Sequence, residues 1–155
     1  MPESDDLQKF HRRFSVEAHN QATDILYSTN ASPDEIESLI ELAHVARWHW
    51  ERRTDKTTQN VAVALWLLSR AYSANGLGAR ALDYAGQSLR TLDGSGLLPS
   101  FFGYAHEALA RAHLLLGDIE AARSHLSLAS EIADTVPSPQ AKAYLLDQIN
   151  RIQVP

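Results

Sequence analysis

The chain has 155 residues, of which 45% are hydrophobic and 21% charged, so it fits one domain with a continuous core and not a disordered segment. Its formal net charge of −5 sets it against phosphate backbones and anionic lipid, which disfavours general binding to nucleic acid or a membrane surface. It has no cysteine, which removes disulfides, thiolate metal sites, iron–sulfur clusters and cysteine nucleophiles together and suits a reducing cytoplasm.

The N-terminal stretch Met1 to Asp6 is polar and acidic, without the basic and apolar blocks of a secretory signal. No run approaches the length of about 18 apolar residues that a bilayer span requires. Almost every segment favours helix, because Ala, Leu, Glu, Arg and Gln dominate and β-branched runs are absent. A first helix is predicted from about Asp5 to Tyr27, with an apolar stripe through Phe10, Phe14, Ala18, Ile25 and Leu26. Ser32-Pro33-Asp34-Glu35 starts the second: Ser32 accepts from free amides, Pro33 suits the first helical position, and Glu35 reaches back. This helix runs to about Arg53 through Ile36, Leu39, Ile40, Ala43, Ala46 and Trp50.

The third helix is expected from about Thr57 to Asn75, with Leu65, Leu68 and Tyr72 at helical spacing and Gly76 as its stop. The fourth spans about Gly78 to Leu92 and meets the turn Asp93-Gly94-Ser95-Gly96. The fifth runs from Pro99 to Gly117. Asp118 caps the sixth, which carries Ile119, Ala122, Leu126, Ala129 and Ile132 on one face. Val136-Pro137-Ser138-Pro139 breaks the chain, and Ser138 caps a seventh helix ending near Ile152. All connections are short, so neighbouring helices should run antiparallel. The basic runs His11-Arg12-Arg13 and Arg52-Arg53 read as solvated helix faces or ends.

A shift of 41 residues lays the third and fourth helices on the fifth and sixth. Leu68 meets Leu109, Arg70 meets Arg111, Gly76 meets Gly117, Ala81 meets Ala122 and Ser88 meets Ala129. Ala81 and Ala122 are small because the second helix of each pair approaches the first closely there. This pattern resembles the tetratricopeptide repeat: Leu65, Leu68-Ser69, Tyr72, Gly76, Ala81, Ala85 and Ser88 in one copy, and His106, Leu109-Ala110, His113, Gly117, Ala122, Leu126 and Ala129 in the other. His113 departs from the usual aromatic, and the spacing exceeds that of the common repeat. The blocks Ala43 to Trp50, Trp66 to Arg70 and Tyr104 to Ala112 are also similar to a set of uncharacterised bacterial tetratricopeptide-like proteins, over about residues 10 to 133. The resemblance implies an all-α, right-handed stack of antiparallel hairpins with about seven helices in a single domain: hairpins at about 5–53, 57–92 and 98–133, and a capping helix at about 139–152. It implies no activity.

In such a stack the first helix of each pair lines a concave groove. The resemblance therefore implies Val63, Trp66, Arg70 and Ser73 as inward residues of one copy, and Tyr104, Glu107, Arg111 and Leu114 of the other. Two guanidiniums one repeat apart can hold a carboxylate or phosphate, with Trp66 as a flat wall. Equally, Arg70 can stack on Trp66 and Arg111 can pair with Glu107 one turn away. Trp48-His49-Trp50 is dense in rings. Trp50 continues the apolar face of its helix, which leaves Trp48 or His49 either packed against the third helix or at one edge of the groove.

Seven histidines invite a metal reading. His44 and His49 diverge around a helix, whereas His106 and His113 share a face. His106-Glu107 resembles the start of a zinc-protease motif, but position 110 is Ala where the second His is required. The repeat register puts His106 and His113 at packing positions, so no metal and no cofactor is expected. No phosphate loop, dinucleotide fingerprint or nucleophile elbow occurs. The expectation is a cytoplasmic, non-enzymatic module that holds a peptide or partner protein in its groove, with self-association possible. The alternative is a small-molecule or metal-binding protein, or a weak enzyme, using the His and Arg cluster there.

Overall fold

The computed structural model describes residues 4–155, and residues 1–3 of the acidic N-terminal stretch lie outside it. Among the described residues the chain forms seven helices and no strand: α1 (Asp5–Tyr27), α2 (Pro33–Arg52), α3 (Thr58–Ala74), α4 (Gly78–Leu92), α5 (Pro99–Leu115), α6 (Ile119–Thr135) and α7 (Pro139–Asn150). None is long and apolar enough to cross a membrane.

Local chemistry sets the boundaries. Ahead of α2, the Ser32 hydroxyl accepts from the Glu35 amide at 3.2 Å, and the Glu35 carboxylate accepts from the Ser32 amide at 2.7 Å. Thr57 and Asn60 make the same reciprocal cap on α3. The ends of α3 and α5 are built alike. Gly76 and Gly117 take φ of 73° and 78°, the Leu77 amide donates to the Tyr72 carbonyl, and the Asp118 amide donates to the His113 carbonyl. A side chain at either glycine would have room, so the backbone conformation, not space, calls for glycine there.

The helices pair as hairpins α1–α2, α3–α4 and α5–α6, stacked in chain order, and the first helices α1, α3 and α5 also pack on one another in turn. The hairpin α3–α4 closes tightly over Ala81, which is fully buried. Two hydroxyls tie it: Ser69 donates to the Ala81 carbonyl and Ser88 to the Ala62 carbonyl, each at 2.8 Å. The principal core joins α1 to α4 around Leu39, Leu67 and Leu68, each removed from water for roughly 1.5–3 kcal/mol. A second core joins α6 and α7 around Ala129, Ala133, Leu145 and Ile149. Here α7 covers the last hairpin, and a glycine admits it. A Cβ on Gly103 would collide with Leu145 Cδ2.

Candidate functional site

The first helices and α7 surround a hollow with two compartments. The larger, of about 520 Å³, is walled by His19, Asp24 and Tyr27 of α1, Val63 and Trp66 of α3, Phe101 and Tyr104 of α5, and Tyr144 of α7. The smaller, of about 370 Å³, is walled by Arg70, Ser73, Arg111, Leu114 and Arg151. Every inward position read from the sequence on α3 and α5 lines one of the two except Glu107, which is fully buried.

Four rings, one from each surrounding helix, form a chain of tilted contacts along the larger compartment. Trp66 meets Tyr104 at 5.9 Å between centroids, Tyr104 meets Tyr144 at 6.3 Å, and Tyr144 meets Tyr27 at 5.7 Å in an edge-to-face contact. Such pairs prefer this tilt because the edge of one ring is positive and the face of the next negative. Among the described residues no Cα of α1 lies within 8 Å of one in α7. Side chains alone, Tyr27 and Tyr144, thus join the two ends of the stack across the hollow. Burial, together with the hydrogen bond to Tyr144, pushes the Tyr27 phenol above its ordinary range, and burial does the same to Tyr104. Both stay protonated donors at neutral pH.

Between the compartments lies a buried ion triad. Glu107 is wholly shielded from water and Arg70 is only 6% exposed. Arg70 donates to Glu107 Oε2 at 3.4 Å, and Arg111 donates through Nε to Glu107 Oε1. Arg111 also donates to the Gln148 carbonyl of α7 at 3.1 Å. Arg70 lies 5.6 Å from the Trp66 ring centre. Burial draws the Arg70 guanidinium below its ordinary range and Glu107 opposes it, so the carboxylate is what makes a charge tolerable there. Both local pairings foreseen as alternatives to ligand binding are therefore present. Each guanidinium nevertheless keeps further N–H groups for the smaller compartment.

Trp48 and His49 join neither compartment. They pack on α1 instead: His49 Nδ1 is 2.9 Å from His11 Nδ1, and Trp48 is half exposed with Arg52 stacked 3.7 Å over its ring. The reason is the hairpin. α2 is a second helix, and the face of its last turns that carries Trp48 and His49 meets the beginning of α1. Trp50 packs into the principal core.

His44, His106, His113 and His125 serve packing as well. His44 Nε2 is 3.0 Å from the Tyr72 hydroxyl. His106 Nδ1 is 3.0 Å from His125 Nδ1, and His125 stacks on His113 at 5.4 Å, all within the α5–α6 interface. Among the described residues no group of three metal-ligating side chains converges.

Sequence reasoning missed His19, Asp24, Tyr27, Phe101 and Tyr144. A signal existed for the α1 residues: His19, Thr23 and Tyr27 repeat every four residues, one helical face. Nothing in the repeat foretold Tyr144, because α7 has no counterpart in either copy. No family model, curated protein or solved structure matches the chain.

Proposed function

We propose that this protein is a non-enzymatic binding module that holds a segment of a partner protein in the hollow between α1, α3, α5 and α7. One observation carries the reading: the compartment of about 520 Å³ with Tyr27, Trp66, Phe101, Tyr104 and Tyr144 on its walls. Water gains little against such walls, whereas a side chain placed among them exchanges apolar surface on both partners, and rings of this kind anchor interfaces. The buried triad supports the same reading. One carboxylate holds both guanidiniums, and Arg111 ties α7 to α5, so the triad shapes the hollow without presenting a nucleophile to it.

The repeat of helices α3–α4 in α5–α6 supports kinship with tetratricopeptide-like proteins, and the cysteine-free composition supports a cytoplasmic setting. Leu7, Phe10, Phe14 and Trp48, all exposed on the first hairpin, support self-association as a further property. A second reading, a small apolar molecule in the same compartment, has one observation in its favour: the volume falls within the range of about 300–1,000 Å³ usual for such ligands.

The test is a peptide array probed with the native protein and with Trp66→Leu. Peptides retained by the native protein and lost with the variant, whose circular dichroism stays native, are the expected result. If no peptide distinguishes the two, the partner-segment reading fails. Binding of apolar small molecules at the Trp66 indole in that case selects the second reading.

A further inference from the structure

Charged groups on the walls of the larger compartment are unevenly chosen. Asp24 brings a carboxylate, and neither Lys nor Arg lines the walls. Asp24 is exposed and has no ion-pair partner among the described residues, although most other charged side chains near the hollow are matched. His19 adds no positive charge at neutral pH, because burial keeps its imidazole below the ordinary range. The remaining walls are neutral: the rings of Tyr27, Trp66, Phe101, Tyr104 and Tyr144, with small hydroxyl and aliphatic side chains between them.

Ring faces are negative in their quadrupole and attract a cation that has shed part of its water. Within this protein the effect is already in use: Arg52 lies 3.7 Å over Trp48, Arg53 lies 3.8 Å over Trp50, and Arg70 sits 5.6 Å from Trp66. Arg70, the guanidinium beside Trp66, lines the smaller compartment and not this one, and it shares Glu107 with Arg111. The rings are thus left with a carboxylate at one side and no competing wall cation. The whole chain, at −5, draws a positive partner at long range.

From this pattern we infer that the occupant of the aromatic compartment is the side chain of a lysine in a basic peptide segment. The inference rests on the partner-segment reading of the hollow. The aliphatic stem lies along Val63 and Trp66, and the ammonium reaches Asp24 past Tyr27. A lysine suits this: its four-carbon apolar stem meets the rings while a compact ammonium meets the single carboxylate. An acidic side chain would lose its water and meet Asp24 as a like charge.

The probes are three blocked pentapeptides, Leu-Ala-X-Ala-Leu, with X as lysine, norleucine or glutamate, together with free butylammonium. Each is titrated into the full chain while the Trp66 indole N–H is followed by NMR, assigned through Trp66→Phe. The lysine peptide is expected to bind at least ten-fold tighter than the norleucine peptide, and the glutamate peptide not measurably. Asp24→Asn should bring lysine down to the norleucine value and leave norleucine binding unchanged. Because Asp24 is exposed, this variant is expected to fold, and an unchanged amide spectrum checks it. Equal or tighter binding of norleucine overturns the inference while the partner-segment reading stands. Butylammonium binding without any peptide binding overturns both in favour of a small organic cation. No response at Trp66 to any probe overturns both outright.

Discussion

The two copies of the hairpin share a backbone and differ in what holds them together. In α3–α4, Tyr72 stacks on Tyr84 at 5.6 Å, and the hydroxyls of Ser69 and Ser88 bond carbonyls of the facing helix. In α5–α6, the residues 41 positions on are His113 stacked on His125 at 5.4 Å, with Ala110 and Ala129 where the serines were. The inner faces differ too, since Trp66 of the first copy corresponds to Glu107 of the second. Equivalent backbone positions therefore carry ring against ring in one copy and ion against ion in the other. A repeat fixes where a side chain stands, and the residue decides which force acts there.

The largest break in the comparison should come at Glu107. Glu107→Gln keeps the shape and leaves Arg70 charged and buried without its partner, which costs about 3–5 kcal/mol; urea denaturation reads it as a lower midpoint. The next is Gly103→Ala, which puts a methyl into the space of Leu145. Overpacking of that kind costs about 1–3 kcal/mol, offset in part by the roughly 1 kcal/mol by which helices prefer Ala over Gly. The corresponding residue of the first copy is already Ala62. The variant should also weaken the Tyr27–Tyr144 contact, visible as loss of their ring–ring NOEs.

Ser88→Ala makes the first copy like the second. It removes one buried hydrogen bond and should cost about 0.5–1.5 kcal/mol in the same denaturation assay. The smallest effect is in pH. Burial lowers the pKa of His106 and of His125 in the folded chain. The unfolded chain then binds more protons between the lowered values and the ordinary histidine range near 6.5, so stability is full above that range and falls as pH drops through it. His125→Phe should flatten the acid side of the stability profile, and Tyr84→Phe, at the equivalent position, should leave its slope unchanged.

Local chemistry made much of the fold legible. The Ser32–Glu35 cap, the two glycine stops, the Ser138 cap and the apolar spacing of each segment are short-range patterns, and together they located the seven helices. The inward positions of α3 and α5, Glu107 apart, followed from the resemblance to the tetratricopeptide repeat. Three features were not legible, each because it depends on contacts distant in sequence. Tyr144 crosses the hollow only because Gly103 lets α7 settle on α5. Trp48 and His49 face α1 because of how the first hairpin packs, and that hairpin has no clean repeat to read. Arg70 and Arg111 were visible as a pair of cations, but their convergence on Glu107 requires knowing that α3 and α5 pack side by side.

On the proposed reading a partner binds in the hollow and not on the half-exposed Trp48 face. The three indole N–H resonances of Trp48, Trp50 and Trp66 test it in one spectrum, because of the three only Trp66 lines the hollow. On addition of a bound peptide the Trp66 resonance should move, while those of Trp48 and Trp50 stay in place. A shift of Trp48 with Trp66 unmoved would place the binding surface on the first hairpin and contradict the account.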